Sequence, residues 1–390
     1  MLFLVKRYLP ISLLAIGTFA MGIDSFVLSG ILPQINQNFA VTSDMSGQLI
    51  TVFALTYAIC APIASIFTSH YSRSTVIKVA LGLFIVANIL SVLSATFSHL
   101  LLTRVLAGIG ASLFTPNASA AALQLTDARR RGKALAIVLG GLTLGVVFGV
   151  PIGTYIGQTI SWRATLVVVS ITGLIALVGV HFFLPHLAPA PQVSLRDRLR
   201  VLANKKILVI ILFMLLSSAA SISTYTFLAG ILNTTAQITG TSLSLALLFW
   251  GIGGAVGSFS SGYATDRFGS SWTLAAATLL LIATLCLLPY AQNFAWVAPI
   301  LFLNGLGSWA IATPNNHRLT ALVADLPAVV ISYNSAGIYL GQAVGTAIAA
   351  YTVADQVSYA QIPLISLVMA LLSLVLLVVS IKYPVRARNI

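Results

Sequence analysis

The sequence predicts an all-α integral membrane protein: twelve transmembrane helices in two six-helix halves related as parallel repeats. Three observations carry that expectation. Hydrophobic residues make up 58% of the 390 and charged residues only 7%, a ratio that no water-soluble domain can present at its surface. Lys and Arg cluster in alternate loops. Residue patterns in the second half also repeat those of the first at a nearly constant offset.

A bilayer core takes about 20 helical residues, and lipid admits only helices or closed barrels because it cannot satisfy exposed backbone groups. Barrel strands would alternate in polarity, whereas these apolar runs are long and uniform. Twelve candidate spans follow in order: 8–31, 46–68, 75–96, 98–121, 134–157, 163–184, 207–231, 243–264, 272–290, 294–316, 328–351 and 360–382. The first follows Lys6 and Arg7 without a small-residue cleavage site, so it is expected to be retained. Residues 186–206, within "PHLAPAPQVSLRDRLRVLANKK", form a Pro-rich and then basic cytoplasmic linker. It divides a first half, 1–185, from a second, 207–390.

The formal charge of +13 is a topology signal and gives no reason to expect nucleic acid. All Lys and Arg except Arg104, inside a span, and Arg163 fall on one side of the membrane, among them Arg129, Arg318, Arg386 and Arg388. An even number of spans with that bias places both termini in the cytoplasm, and a bacterial inner membrane is the expected location. Cys60 and Cys286 lie in separate spans and imply neither a disulfide framework nor a thiolate metal site.

The fifth span is the most unusual. Gly141, Gly145, Gly149, Gly153 and Gly157 recur every fourth residue, with Pro151 among them. Residues four apart drift slowly around a helix, so these glycines form one small-residue ridge. In lipid such a ridge lets two backbones approach closely, a contact that can stay sealed or slide. Pro151 adds a bend and frees a carbonyl. Gly337, Gly341 and Gly345 repeat the first three glycines at an offset of 196, and "FTPN" at 114–117 returns as "ATPN" at 312–315. "SGIL" at 29–32 likewise returns as "AGIL" at 229–232. Matches at constant spacing indicate an internal duplication, the plan of a class of secondary transporters.

These residues resemble the major facilitator superfamily. "GGLTLGVVFGVPIGT" is similar to the Gly-Pro signature of its fifth helix, associated with proton-coupled antiporters, and "RVLAGIG" at 104–110 to its fourth-helix signature. "GYATDRFG" at 262–269 resembles the loop signature after helix 8, whereas in "TSHYSRS" at 68–74 Ser69 holds the acidic place and only Arg73 is kept. "GILPQINQNFAVTSDMSGQLITVFALTYAICAP" at 30–62, "SWR" at 161–163 and "GLGSWAIATPNNHRL" at 305–319 are similar to bacterial twelve-helix drug–proton antiporters of the arabinose, sugar and purine efflux branch. Many branch members carry an acid immediately before the helix-1 phenylalanine; here Ser25 precedes Phe26 and the acid is Asp24. The resemblance implies the major facilitator fold, with Arg73, Asp266, Arg267 and the residues Gly141, Gly145, Gly149, Pro151 and Gly153 serving conformational change.

The chain has no glutamate, and Asp24 alone of its aspartates lies inside a span. A membrane-embedded charge must face a cavity, pair or be neutralised. Asp24 and Arg104 lie at similar depth, which permits an ion pair. Burial favours the neutral carboxyl and a guanidinium the charged one, so the pair suits proton coupling, with a structural polar pair as the alternative. Tyr57, Asn117, Tyr225, Trp309, Asn315, Asn316, Tyr339 and Gln342 offer an uncharged aromatic and amide wall, suited to a neutral or amphipathic solute such as a purine, nucleoside, sugar or drug.

No metal-ligand spacing, nucleophile with a base, or phosphate-binding loop is present, so an enzyme is not expected and the proton is the only coupling species needed. The expected activity is proton-driven efflux by alternating access, in a monomer. A uniporter or proton symporter on the same fold, or a membrane sensor that does not transport, are the alternatives.

Overall fold

In a computed structural model, residues 2–127, 130–189, 194–323, 325–355 and 357–382 are described; Arg129, Arg386 and Arg388 lie outside them. The first six helices are α1 Leu2–Phe39, α2 Ser43–Phe67, α3 Arg73–Val92, α4 Phe97–Gln124, α5 Arg131–Thr159 and α6 Trp162–Phe183. After a short linker helix, Leu195–Leu202, come α7 (Lys205–Thr226, continued by Leu228–Ala236), α8 Gly240–Phe268 and α9 Ser270–Leu287. The last three are α10 (Phe294–Trp309 and Ala312–Leu322), α11 Pro327–Ala354 and α12 Ile362–Lys382. Eleven helices among the described residues are long and apolar enough to cross a membrane. The remaining long helix, α11, carries Asn334, Gln342 and Thr346, which lower its hydropathy and are buried inside the bundle.

Several helices outrun the spans expected from hydropathy, α1 by a further two turns to Phe39. Two expected helices are broken. In α10 the break falls at Ala310 and Ile311, because Pro314 has no N–H for the Ala310 carbonyl. In α7 it falls at Phe227, without proline. There the run "SISTYT" is entirely buried, and its hydroxyls bond across helices: Thr224 Oγ1 to Ser366 Oγ at 2.7 Å and Thr226 Oγ1 with Thr346 Oγ1 at 3.1 Å. Interhelical hydroxyl bonds substitute for the missing hydrophobic drive in lipid.

The glycine ridge packs inside the first half. A Cβ on Gly141 would meet the Ala15 carbonyl, on Gly145 the Phe19 carbonyl, and on Gly149 the Ile23 side chain. Thr18 Oγ1 donates to the Val138 carbonyl across the same contact. The second half repeats this residue for residue: Gly337 faces Ile211, Gly341 the Leu215 carbonyl and Gly345 the Ala219 carbonyl. Glycine and partner are displaced by the same 196 positions in both cases, so the duplication extends from the sequence to the crossing of α1 with α5 and of α7 with α11.

Within α5, residues Gly145–Gly149 form a π-helical turn ahead of Pro151. Proline cannot donate to Val147, and widening the ladder by one residue lets Val150 N–H reach the Gly145 carbonyl instead. Between the halves, α2 packs along α11 and α5 against α8, with Gly251 of α8 close against the Val147 backbone. We call the end bearing Arg73, Arg267 and Lys382 the basic end, and the opposite one the far end. At the far end Arg163 ties three segments, donating to Asn38 Oδ1 (2.9 Å), the Val92 carbonyl (3.1 Å) and the Ser94 carbonyl (3.0 Å). Its guanidinium lies 4.3 Å from the Trp162 ring.

Gly145→Ala and Gly341→Ala are each expected to cost about 1–3 kcal/mol through overpacking. Gly140→Ala, beside open space, is expected to be neutral. Thermal melts in detergent check this, and equal melting points for Gly140→Ala and Gly145→Ala would refute the backbone contact.

Candidate functional site

Three consecutive residues of α1 point to three different neighbours, as about 100° of rotation per residue requires. Asp24 turns to α4. Both its carboxylate oxygens accept from Arg104, Oδ1 from Nη1 at 2.9 Å and Oδ2 from Nη2 at 3.0 Å. The two side chains are 0% and 1% exposed, and the Phe53 ring of α2 covers the guanidinium at 4.8 Å. Arg104 Nε has no partner among the described residues. A forked, fully buried pair of this kind is geometrically specific and leaves neither charge facing lipid.

Ser25 turns to α11, on the side of Tyr339. Tyr339 stacks on Tyr57 of α2, ring centroids 3.5 Å apart and planes 19° from parallel. One expected wall residue from each half therefore meets the other face to face.

Phe26 turns into the second half and contacts Tyr225, Trp250 and Trp309 at 5.7, 6.0 and 5.9 Å. Tyr225 and Trp250 lie 4.2 Å apart, and the Tyr225 hydroxyl donates to the Phe26 carbonyl at 3.4 Å. A buried chain fixes the indole: Trp250 Nε1 donates to Asn304 Oδ1 at 3.1 Å, and Asn304 Nδ2 to Thr284 Oγ1 at 3.0 Å.

The expected wall thus divides. Tyr57, Tyr225, Trp309 and Tyr339 gather at the centre, with Gln342 buried one turn beyond Tyr339. Asn315 and Asn316 are drawn off into an amide chain nearer the basic end. Asn315 Nδ2 donates to Asn334 Oδ1 (2.7 Å) and Asn334 Nδ2 to Asn316 Oδ1 (2.8 Å). Asn117 is half-buried and donates to its own helix at the Leu113 carbonyl. Phe26, Ser25, Trp250 and Asn334 were missed; only the adjacency of Phe26 and Ser25 to Asp24 signalled them.

The residues expected to serve conformational change lie apart. Arg73 is buried, and its backbone N–H holds the Leu187 carbonyl at 3.2 Å, pinning the start of the linker to α3. Arg267 is exposed and donates to the Tyr263 hydroxyl at 3.0 Å. Asp266 is exposed and makes no ion pair among the described residues. The turn between them and α9 needs Gly269, whose φ is +83°.

Removing one partner of a buried pair costs about 3–5 kcal/mol because the other charge is stranded. Asp24→Asn is therefore expected to lower the melting point strongly, and Asp24→Asn with Arg104→Gln to recover most of it. A double variant no more stable than the single one would mean that Arg104 is held by other groups.

Residues 14–235 and 207–390 both match the Major Facilitator Superfamily. The chain is 31% identical to the uncharacterized MFS-type transporter YbcL of Bacillus subtilis over 356 residues, 90% of each chain. It is 27% identical to the inner membrane transport protein YdhP of Escherichia coli, covering 97% of each. To a chloramphenicol resistance protein of Streptomyces lividans it is 30% identical, covering 88% of this chain and 89% of that one. In fold it is similar to a bacterial homolog of the human lysosomal transporter Spinster, solved inward-facing and occupied. The TM-score is 0.77 at 16% identity, over 98% of both chains. Its helices, its duplicated crossings and these matches place it together with its relatives: the chain is a multi-pass membrane protein that belongs to the Major Facilitator Superfamily, a family of transporters and not of enzymes.

Proposed function

We propose that this protein is a proton-coupled antiporter that exports a small neutral or amphipathic solute across a bacterial inner membrane. It would act as a monomer with the basic end facing the cytoplasm. The observation that carries the reading is the meeting of the two halves through uncharged aromatic rings inside the bundle, beside the one buried ion pair among the described residues. A flat solute is recognised where Tyr57 and Tyr339 now stack on each other, and by the indoles of Trp250 and Trp309. The similarity to a chloramphenicol resistance protein supports efflux and adds chloramphenicol, a neutral aromatic amide, to the purines, nucleosides and sugars as candidates.

In this reading Asp24 carries the coupling proton. Protonation breaks its charge pairing with Arg104, and the freed guanidinium then weakens the packing of α1 on α4. Since α1 also carries Phe26 and Ser25 toward the second half, a proton on Asp24 is transmitted to the aromatic contacts. One observation favours uniport instead: both carboxylate oxygens are fully engaged and buried, as in a purely structural pair.

Proteoliposomes containing a pH-sensitive dye decide between them. Chloramphenicol, nucleobases, nucleosides, sugars and lipophilic cations are added without an imposed gradient. Antiport is expected to give a substrate-evoked pH change that vanishes in the double variant Asp24→Asn/Arg104→Gln while labelled-solute exchange continues. Solute flux with no pH change in wild type would establish uniport. For an aromatic substrate, Tyr57→Leu and Tyr339→Leu are each expected to raise the half-saturating concentration by up to about tenfold, since an aromatic pair is worth about 0.5–1.5 kcal/mol. An unchanged value in both would remove the tyrosine pair from the binding site.

A further inference from the structure

A second set of groups gathers at the far end and has no part in the site described above. A cavity of 450 Å³ lies there in the seam between the halves, within the range of about 300–1,000 Å³ usual for small-molecule sites. It is built on the end of α1, where the segment "LPQIN" had no evident role, together with parts of α2, α5, α7, α8 and the turn before α12. No residue lining it is charged.

Its hydrogen-bonding groups are unbalanced. Gln34 Oε1, Asn36 Oδ1 and Gln158 Oε1 are all buried and have no partner among the described residues, and all three residues line the cavity. Two of these amides have spent their donors elsewhere: Gln158 Nε2 on the Gly30 carbonyl at 3.2 Å, and Asn36 Nδ2 on Ser43 Oγ at 2.8 Å. The Gly30 carbonyl can only accept, so that bond fixes which end of the Gln158 amide is the oxygen. Pro33 cannot donate to the Ser29 carbonyl, and Ser29 lines the same space. Buried acceptors left unpaired are costly, and all three belong to residues of this one wall.

We propose that this cavity is a second solute site, for a neutral molecule of nucleoside or sugar size that supplies several O–H or N–H donors. An ion finds no countercharge there and would be desolvated without compensation. An apolar drug would fill the space and leave the oxygens unpaired, so the site selects donors. Phe227 and Tyr359, 6.3 Å apart, supply an apolar wall. The acceptors belong to the first half, and Asn233, Thr234 and Tyr359 to the second. The site is therefore whole only while the far end is closed, and a bound solute favours that state. This inference rests on the reading of the protein as a carrier of neutral solutes and extends it to a separate place.

Equilibrium dialysis of the purified full-length protein against tritiated inosine tests it, with 2′,3′,5′-tri-O-methylinosine as a competitor whose ribose donors are capped by methyl groups. Saturable inosine binding is expected, with the methyl ether competing at least tenfold more weakly. Gln34→Leu/Asn36→Leu/Gln158→Met is expected to weaken binding at least tenfold, while Tyr339→Leu leaves this component in place. Asn233→Cys, at the exposed rim, gives a readout independent of that triple variant's folding. With Cys60 and Cys286 replaced by Ala, inosine is expected to slow maleimide labelling at position 233. Equal competition by the methyl ether, unchanged affinity in a folded triple variant, labelling that inosine does not slow, or no saturable inosine binding by wild type would each overturn the site. Saturable inosine binding here with no flux of any solute in the panel removes the efflux reading and leaves the site standing. Solute flux with no saturable inosine binding at this cavity does the reverse.

Discussion

Everything at the centre of this protein depends on how closely α1 lies against α5, and α7 against α11. Lipid gives apolar helices no reason to prefer each other over its own chains, so association rests on contact quality and hydrogen bonds. Bare backbone at Gly141 and Gly145 lets the carbonyls of Ala15 and Phe19 sit where a side chain would otherwise stand. That contact fixes the rotation of α1 about its own axis. Once it is fixed, Asp24, Ser25 and Phe26 have no freedom in their partners: one faces α4, the next α11, the third the indoles of the second half. A single turn thereby joins the charge pair to the aromatic seam.

The linkage bears on what kind of coupling the molecule supports. Asp24 is far from water on every side, and its partner guanidinium is roofed by Phe53. Proton exchange there requires α1 or α4 to shift, and α1 cannot shift without disturbing Phe26 and the Tyr225 bond to its carbonyl. In the antiport proposed above, proton exchange and the conformational step would then coincide. Of the three basic-end residues, Arg73 alone is seen holding another segment, the linker, through its backbone bond to Leu187.

Much of this was legible in the sequence, and the boundary has a physical origin. Length and hydropathy located the spans, and the repeated glycines marked α5 and α11 as helices with a close contact, without naming its partner. The Asp24–Arg104 pair followed from depth alone, since two buried charges in one membrane have few alternatives. What stayed hidden is which face of an apolar helix meets protein and which meets lipid. Amphipathicity reports that only when one side is water. Hence Trp250, 1% exposed, and Trp272, 76% exposed, look alike in sequence. The break at Phe227 was hidden for a related reason: it arises from hydroxyls bonding to α11 and α12, which no local pattern records.

The distribution of the five tryptophans has an optical consequence. Trp272 and Trp296 are 76% and 65% exposed on the bundle surface, and Trp162 is held by Arg163 within the first half. Trp250 and Trp309 alone stand where the halves meet, both against Phe26. When the halves part there, those two indoles exchange an aromatic neighbour for water or solute while the other three keep their surroundings. The native chain therefore carries its own emission probe of the transport cycle, with three of its five fluorophores serving as an internal reference.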